Sequence, residues 1–234
     1  MQHDVELSKE VDVARSTGLA RVIVVPGLAV HKYAEPPVRH LRDNGYDARL
    51  LSPPAWRGID HDLERYGRNL AADIEREGAP VDVLVGLSVG TQAAAVAASS
   101  TDLVKRLVLV SPTIDPAYRS MIKQSLVFVR GDPHDTSGYL SHVPDWSRAG
   151  VIRIFRGFAS AIALHLEDIL PKVHAAVTII HTEYDPLTTH TYAASLAESN
   201  GARLVLMPGV SHSWPNADSA RFLRFVDELV SNES

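Results

Sequence analysis

Val81-Asp-Val-Leu-Val-Gly86-Leu-Ser88-Val-Gly90-Thr-Gln-Ala-Ala-Ala95 joins a short apolar strand, a Gly-x-Ser-x-Gly turn and the start of an alanine-rich helix in one run. Turning from strand to helix in so few residues drives the serine into strained backbone geometry. Glycines on both sides of it remove the side chains that would clash. The hydroxyl is thereby presented rather than packed away. The helix N-terminus near Val89 brings unpaired N–H groups and a positive dipole end, which suit a developing oxyanion. An ordinary N-cap serine can carry the same string, and the flanking strand and helix are what argue against it.

A nucleophilic serine needs a base, and the base needs an orienting acid. Ala176-Val-Thr-Ile-Ile-His181 reads as a core strand followed by a loop that carries Asp185. Ala202-Arg-Leu-Val-Leu-Met207 reads as another strand, and the loop after it carries His212. Asp115 follows the strand Lys105–Ser111 and competes with Asp185 for the role of acid.

On four motifs the chain resembles the α/β-hydrolase superfamily over residues 21–230. Arg21-Val-Ile-Val-Val-Pro26-Gly27-Leu28 resembles the first core parallel strand and its oxyanion loop, and residues 86–90 the nucleophile elbow. Glu183-Tyr-Asp185-Pro resembles the acid loop and Pro208–His212 the histidine loop. Ser88, Asp185 and His212 also follow the superfamily's chain order for its triad. There are departures: Pro26 replaces the usual His of the oxyanion loop, and Thr182 and Ser211 replace glycines. The resemblance implies an α/β fold with a mostly parallel central sheet flanked by helices. It also implies oxyanion donation by the backbone N–H groups of Leu28 and Val89, and no cofactor or metal.

Composition is compatible with one such domain. The chain has 234 residues, 45% of them hydrophobic and 22% charged. Its formal charge of -5 gives no electrostatic case for nucleic acid. With no cysteine, thiolate catalysis, disulfides and Cys-based zinc sites are excluded. Met1-Gln-His-Asp-Val-Glu has neither a basic n-region nor an apolar h-region, and no apolar run approaches the length of a membrane span, so a cytoplasmic location is expected. Homo-oligomerisation stays open.

Strand and helix patterns alternate along the chain, as in a parallel sheet. Residues 5–7 and 11–13 add candidate edge strands. The rhythm breaks over residues 113–170, which predicts a helical cap inserted into a core made of residues 1–112 and 171–234. Within the cap, Val151, Phe155, Phe158, Ile162 and Ile169 fall on helical spacing. That face either roofs a pocket over Ser88 or packs on the sheet edge. Gly131–Gly138 reads as a polar loop, and its His134, Asp132 and Asp135 match no metal-ligand spacing. Gly27, His31, Phe155, Phe158 and Trp214 are the candidate substrate contacts. Trp214 could equally wedge its loop in place, and His31 could be an exposed loop histidine.

These readings predict a carboxylic ester hydrolase (EC 3.1.1) acting on a small, largely apolar molecule through Ser88, His212 and Asp185. The same triad also serves carbon–carbon bond and thioester hydrolases, and a ligand receptor of the same fold with little or no turnover is the alternative from another class.

Overall fold

The computed structural model describes residues 18–123 and 143–231. Six parallel strands form one sheet in the order β2-β1-β3-β4-β5-β6. They are β1 (Arg21–Val25), β2 (Asp47–Leu50), β3 (Val83–Leu87), β4 (Arg106–Val110), β5 (Ala176–Tyr184) and β6 (Arg203–Ser211). β1 and β3 are buried along their whole length, as expected for a parallel sheet covered on both faces. The candidate edge strands at residues 5–7 and 11–13 and the Gly131–Gly138 loop lie outside the described residues.

Alternation along the strands divides the core in two. Ile23, Val25, Leu84, Leu107, Leu109 and Ile179 pack under α2 (Leu63–Glu77), α3 (Gly90–Ala98) and α7 (His190–Asn200). Val22, Val24, Val83, Val85, Val108 and Ile180 pack under α1 (Glu35–Asp43) and the closing helix α9 (Ser219–Ser231). Full burial of each such side chain is worth roughly 1.5–3 kcal/mol against exposure.

Helix α2 starts on Asp62, whose carboxylate accepts the N–H of Arg65, and ends on Gly78 at φ 64°. Helix α3 is built of small residues, and all nine are buried. A Cβ placed on Gly67 of α2 would come within 2.6 Å of the Ala93 carbonyl oxygen and of Val96 Cβ. The two helices therefore touch backbone to backbone.

The described part of residues 113–170 is helical wherever it is regular, and none of it joins the sheet; its helices include α4 (Val143–Ala149), α5 (Val151–Ala163) and α6 (Leu166–Ile169). The expected single apolar face from Val151 to Ile169 is not continuous. The backbone leaves helical geometry at Leu164 (φ -99°, ψ 115°), so Ile169 belongs to a different helix. Ile154, Phe158 and Ile162 pack on the core, whereas Val151 and Phe155 are exposed at 70% and 53%. No helix among the described residues is long and apolar enough to cross a membrane.

The strand order reverses between β1 and β3, and at such a switch point the crevice at the carboxyl ends of a parallel sheet opens. Replacing Gly67 with Ala should lower stability by about 1–3 kcal/mol, because the new methyl meets backbone that cannot step aside. A thermal melt checks this, and an unchanged midpoint would show that α2 and α3 can part without cost.

Candidate active site

Ser88 follows β3 with φ 54°, a left-handed value that costs a side-chain-bearing residue strain. The flanking glycines have a measurable reason to be there. A Cβ on Gly86 would lie 2.5 Å from Thr91 Cα, and one on Gly90 would lie 2.4 Å from the Val25 carbonyl oxygen and 2.5 Å from that of Pro26. Ser88 donates its N–H to the Val110 carbonyl at 3.0 Å, which ties the turn to β4. In the same register position on β4, Ser111 is also left-handed, at φ 52°.

The Pro26–Val30 loop runs against this turn. A Cβ on Gly27 would be 3.5 Å from Ser88 Cβ, so the two backbones are near neighbours. Gly27 donates its N–H to the buried Tyr33 hydroxyl at 3.0 Å, and Ala29 donates to the Pro54 carbonyl at 3.0 Å. Burial holds the Tyr33 phenol well above its ordinary range, so it stays neutral and can accept this bond. Among the described residues, the N–H groups of Leu28 and Val89 have no acceptor, which leaves both donors available at the turn.

The acid and histidine loops meet through sheet register. Thr182 pairs with Met207 and Tyr184 with Ser211, so β6 carries two more residues than β5 between these pairs. Gly209 (φ 72°) absorbs this irregularity. Beyond the bulge, Asp185 and His212 each sit one residue past a paired position. His212 Nδ1 lies 3.0 Å from both Asp185 carboxylate oxygens. A carboxylate only accepts, so the shared proton sits on Nδ1 and Nε2 is left as the acceptor.

The Asp185 side chain is fully buried. Burial pushes its carboxyl up, but His212 and the backbone N–H of Leu187 outweigh that and hold it below the ordinary carboxylate value. Thr188 N–H also donates to it, at 3.1 Å. Asp115 is otherwise engaged: its carboxylate accepts from Thr189 N–H and Oγ1 at 3.0 and 2.5 Å and from Ala117 N–H at 2.7 Å. It braces the acid loop from the β4 side.

The remaining expected contacts divide. His31 lies on the Pro26–Val30 side, with Nδ1 3.0 Å from Glu35 and its ring 5.2 Å from that of Trp56. Phe158 is partly buried against the core. Phe155, the other aromatic candidate contact on this helix, points outward because the helix turns that position away from the sheet. Trp214, at the start of α8 (Trp214–Ala217), is fully buried and packs edge-on against Phe222 at 6.0 Å, in the layer beneath α1 and α9; of its two readings this placement matches the wedge and not an exposed pocket wall. Among the described residues, no three His, Asp or Glu side chains gather in a way that could hold a metal ion.

Several residues that position the site carry no sequence signal. Asp145 on α4, wholly buried, accepts the N–H groups of His31 and Lys32 at 2.8 and 3.0 Å. The buried amide of Gln92 on α3 donates to the Ala161 carbonyl at 2.7 Å and also to that of Leu164. Gly157 on α5 lets Leu28 in: a Cβ there would be 2.5 Å from Leu28 Cδ1. Each depends on a partner distant in sequence, and only folding reveals the pairing.

No curated protein matches the chain in sequence. Solved structures share its fold at low identity. An esterase from Exiguobacterium antarcticum is 16% identical with a TM-score of 0.75, over 91% of this chain and 92% of that one. A hydrolase from Oleispira antarctica is 11% identical with a TM-score of 0.76, over 92% of each chain. An enol-lactonase from Burkholderia xenovorans is 14% identical with a TM-score of 0.70, again over 92% of each. The family model described as "Alpha/beta hydrolase family" matches residues 22–225. With that match spanning the parallel sheet, the strained serine turn and both loops that meet at Asp185 and His212, the chain belongs to the alpha/beta hydrolase family.

Proposed function

We propose that this protein is a serine hydrolase that cleaves a small, largely apolar carboxylic ester through an acyl-enzyme. The observation that carries the reading is the buried Asp185 carboxylate against His212 Nδ1, at the same sheet edge as the left-handed Ser88. His212 Nε2 takes the Ser88 proton as the hydroxyl oxygen attacks the ester carbonyl. The N–H groups of Leu28 and Val89 receive the oxyanion. His212 then protonates the leaving alcohol, and water, deprotonated by the same imidazole, releases the acid and restores Ser88. Asp185 holds the tautomer and stabilises the imidazolium. The described helices of residues 113–170 act as the cap over this edge, with α5 seated on Leu28 through Gly157.

A fluorophosphonate probe should label the protein at Ser88, and Ser88→Ala should abolish labelling. Full labelling of that variant would remove the assignment. Steady-state turnover on a panel of p-nitrophenyl esters separates an ester hydrolase from a ligand receptor, which would bind saturably and turn over at most once.

Asp185→Asn should lower kcat by roughly 10⁴-fold, since an amide favours the wrong tautomer and cannot stabilise the charged ring. Asp115→Asn should cost far less, and the reverse ranking in two folded variants would transfer the role. Stability provides an independent readout. Because the folded carboxyl of Asp185 sits below its unfolded value, its contribution is present above about pH 4 and is lost as pH falls through the folded value. The wild type should therefore exceed Asp185→Asn in urea midpoint at pH 7 by a margin that shrinks towards pH 3. A margin that does not change with pH would contradict the charge argument.

A further inference from the structure

A cleft of about 470 Å³ opens where α4 meets the loop after β2, lined by Trp56, Arg57, Ser147 and Arg148. The Arg148 guanidinium stands over the Trp56 ring, 5.2 Å from its centroid. Among the described residues, neither Arg57 nor Arg148 pairs with a carboxylate, although the chain as a whole is acidic. Of the acids on these elements, Asp60 pairs with Arg65, and Asp145, wholly buried, gives one carboxylate oxygen to the N–H groups of His31 and Lys32 while its other oxygen is buried without a partner among the described residues. Two guanidinium groups without a carboxylate partner therefore line one cleft and lack what an anion would supply.

The cleft is held firmly and lies near the proposed chemistry. Arg153 fastens α5 to this loop, with Nε on the Ala55 carbonyl at 3.0 Å and Nη2 on the carbonyls of Trp56 (3.1 Å) and Ile59. The same loop accepts the Ala29 N–H through the Pro54 carbonyl, and Trp56 stacks near His31. An anion bound here would therefore sit beside the Pro26–Val30 loop.

We infer that Arg57 and Arg148, the latter stacked on Trp56, form a carboxylate-binding subsite, and that the natural ester, otherwise largely apolar, carries one acidic group at the end remote from the scissile bond. The planar fork of a guanidinium matches a carboxylate in two parallel hydrogen bonds, and the stacking on Trp56 orients one fork in advance. The inference rests on the hydrolase reading for the word substrate, but not for the existence of the subsite.

Two matched ester pairs test it: mono-4-nitrophenyl glutarate against 4-nitrophenyl pentanoate, and 4-carboxyphenyl butyrate against phenyl butyrate. In at least one pair the acidic member should have a KM about tenfold lower, the size expected of charge-assisted hydrogen bonds at a partly exposed site. Arg57→Gln with Arg148→Gln should erase that advantage, leave kcat unchanged and move the neutral esters by less than twofold, and Arg148→Lys should restore only part of it. Equal KM values in both pairs, or a common loss on all esters, would overturn the assignment to substrate. Calorimetric titration with free glutarate reads the subsite even if no ester is turned over. Binding to the wild type that disappears in the double variant supports it, and no binding to the wild type overturns it. Glutarate that binds through these arginines but inhibits ester hydrolysis noncompetitively would support an anion site while overturning its link to the substrate.

Discussion

Everything at the carboxyl edge of the sheet depends on a close approach of backbones around Ser88. The space that a Cβ on Gly90 would need is filled by the carbonyls of Val25 and Pro26, and the space at Gly86 is filled by Thr91. A methyl at either place would have to separate a strand from a helix. The left-handed serine is a consequence of this packing, since the chain has no other way to pass from β3 to α3 in so short a span. The small residues of α3 extend the same constraint, letting that helix lie close to α2 and to the sheet at once.

The second half of the site depends on a different device. A parallel ladder in strict register would carry β5 and β6 to their ends together, with side chains alternating by twos. The two additional residues of β6 shift that register once, and the strands then pair again at Tyr184 and Ser211. His212 emerges facing Asp185 because of this interruption. The Asp185 carboxylate, buried and supplied with backbone donors from Leu187 and Thr188, gives the imidazole a partner that stays charged.

The core strands were legible because each is a compact run of apolar, β-branched residues, and the serine turn because glycines flank it at fixed offsets. The ends of β5 and β6 were not. Thr182–Tyr184 and Pro208–Ser211 read as loops, yet they extend the sheet, and their pairing requires a bulge that neither segment announces alone. The phase of α5 was also hidden. Apolar residues occur on several of its faces, so spacing alone does not say that Ile154 and Phe158 turn inward while Phe155 turns out. Trp214 was ambiguous for a related reason: a large ring beside a candidate catalytic histidine can line a cavity or fill the core, and its burial against Phe222 puts it in the core.

Asp145 reaches from α4 to hold the backbone at His31 and Lys32, while Leu28 is seated against Gly157 of α5. The helices above the sheet edge are thus part of the scaffold that shapes the Pro26–Val30 loop. A chimera that exchanges these helices for those of a relative would remove the carboxylate and the notch together and leave two backbone donors and a leucine without their counterparts. In this chain, transplanting the upper segment and retaining the lower machinery are not independent operations.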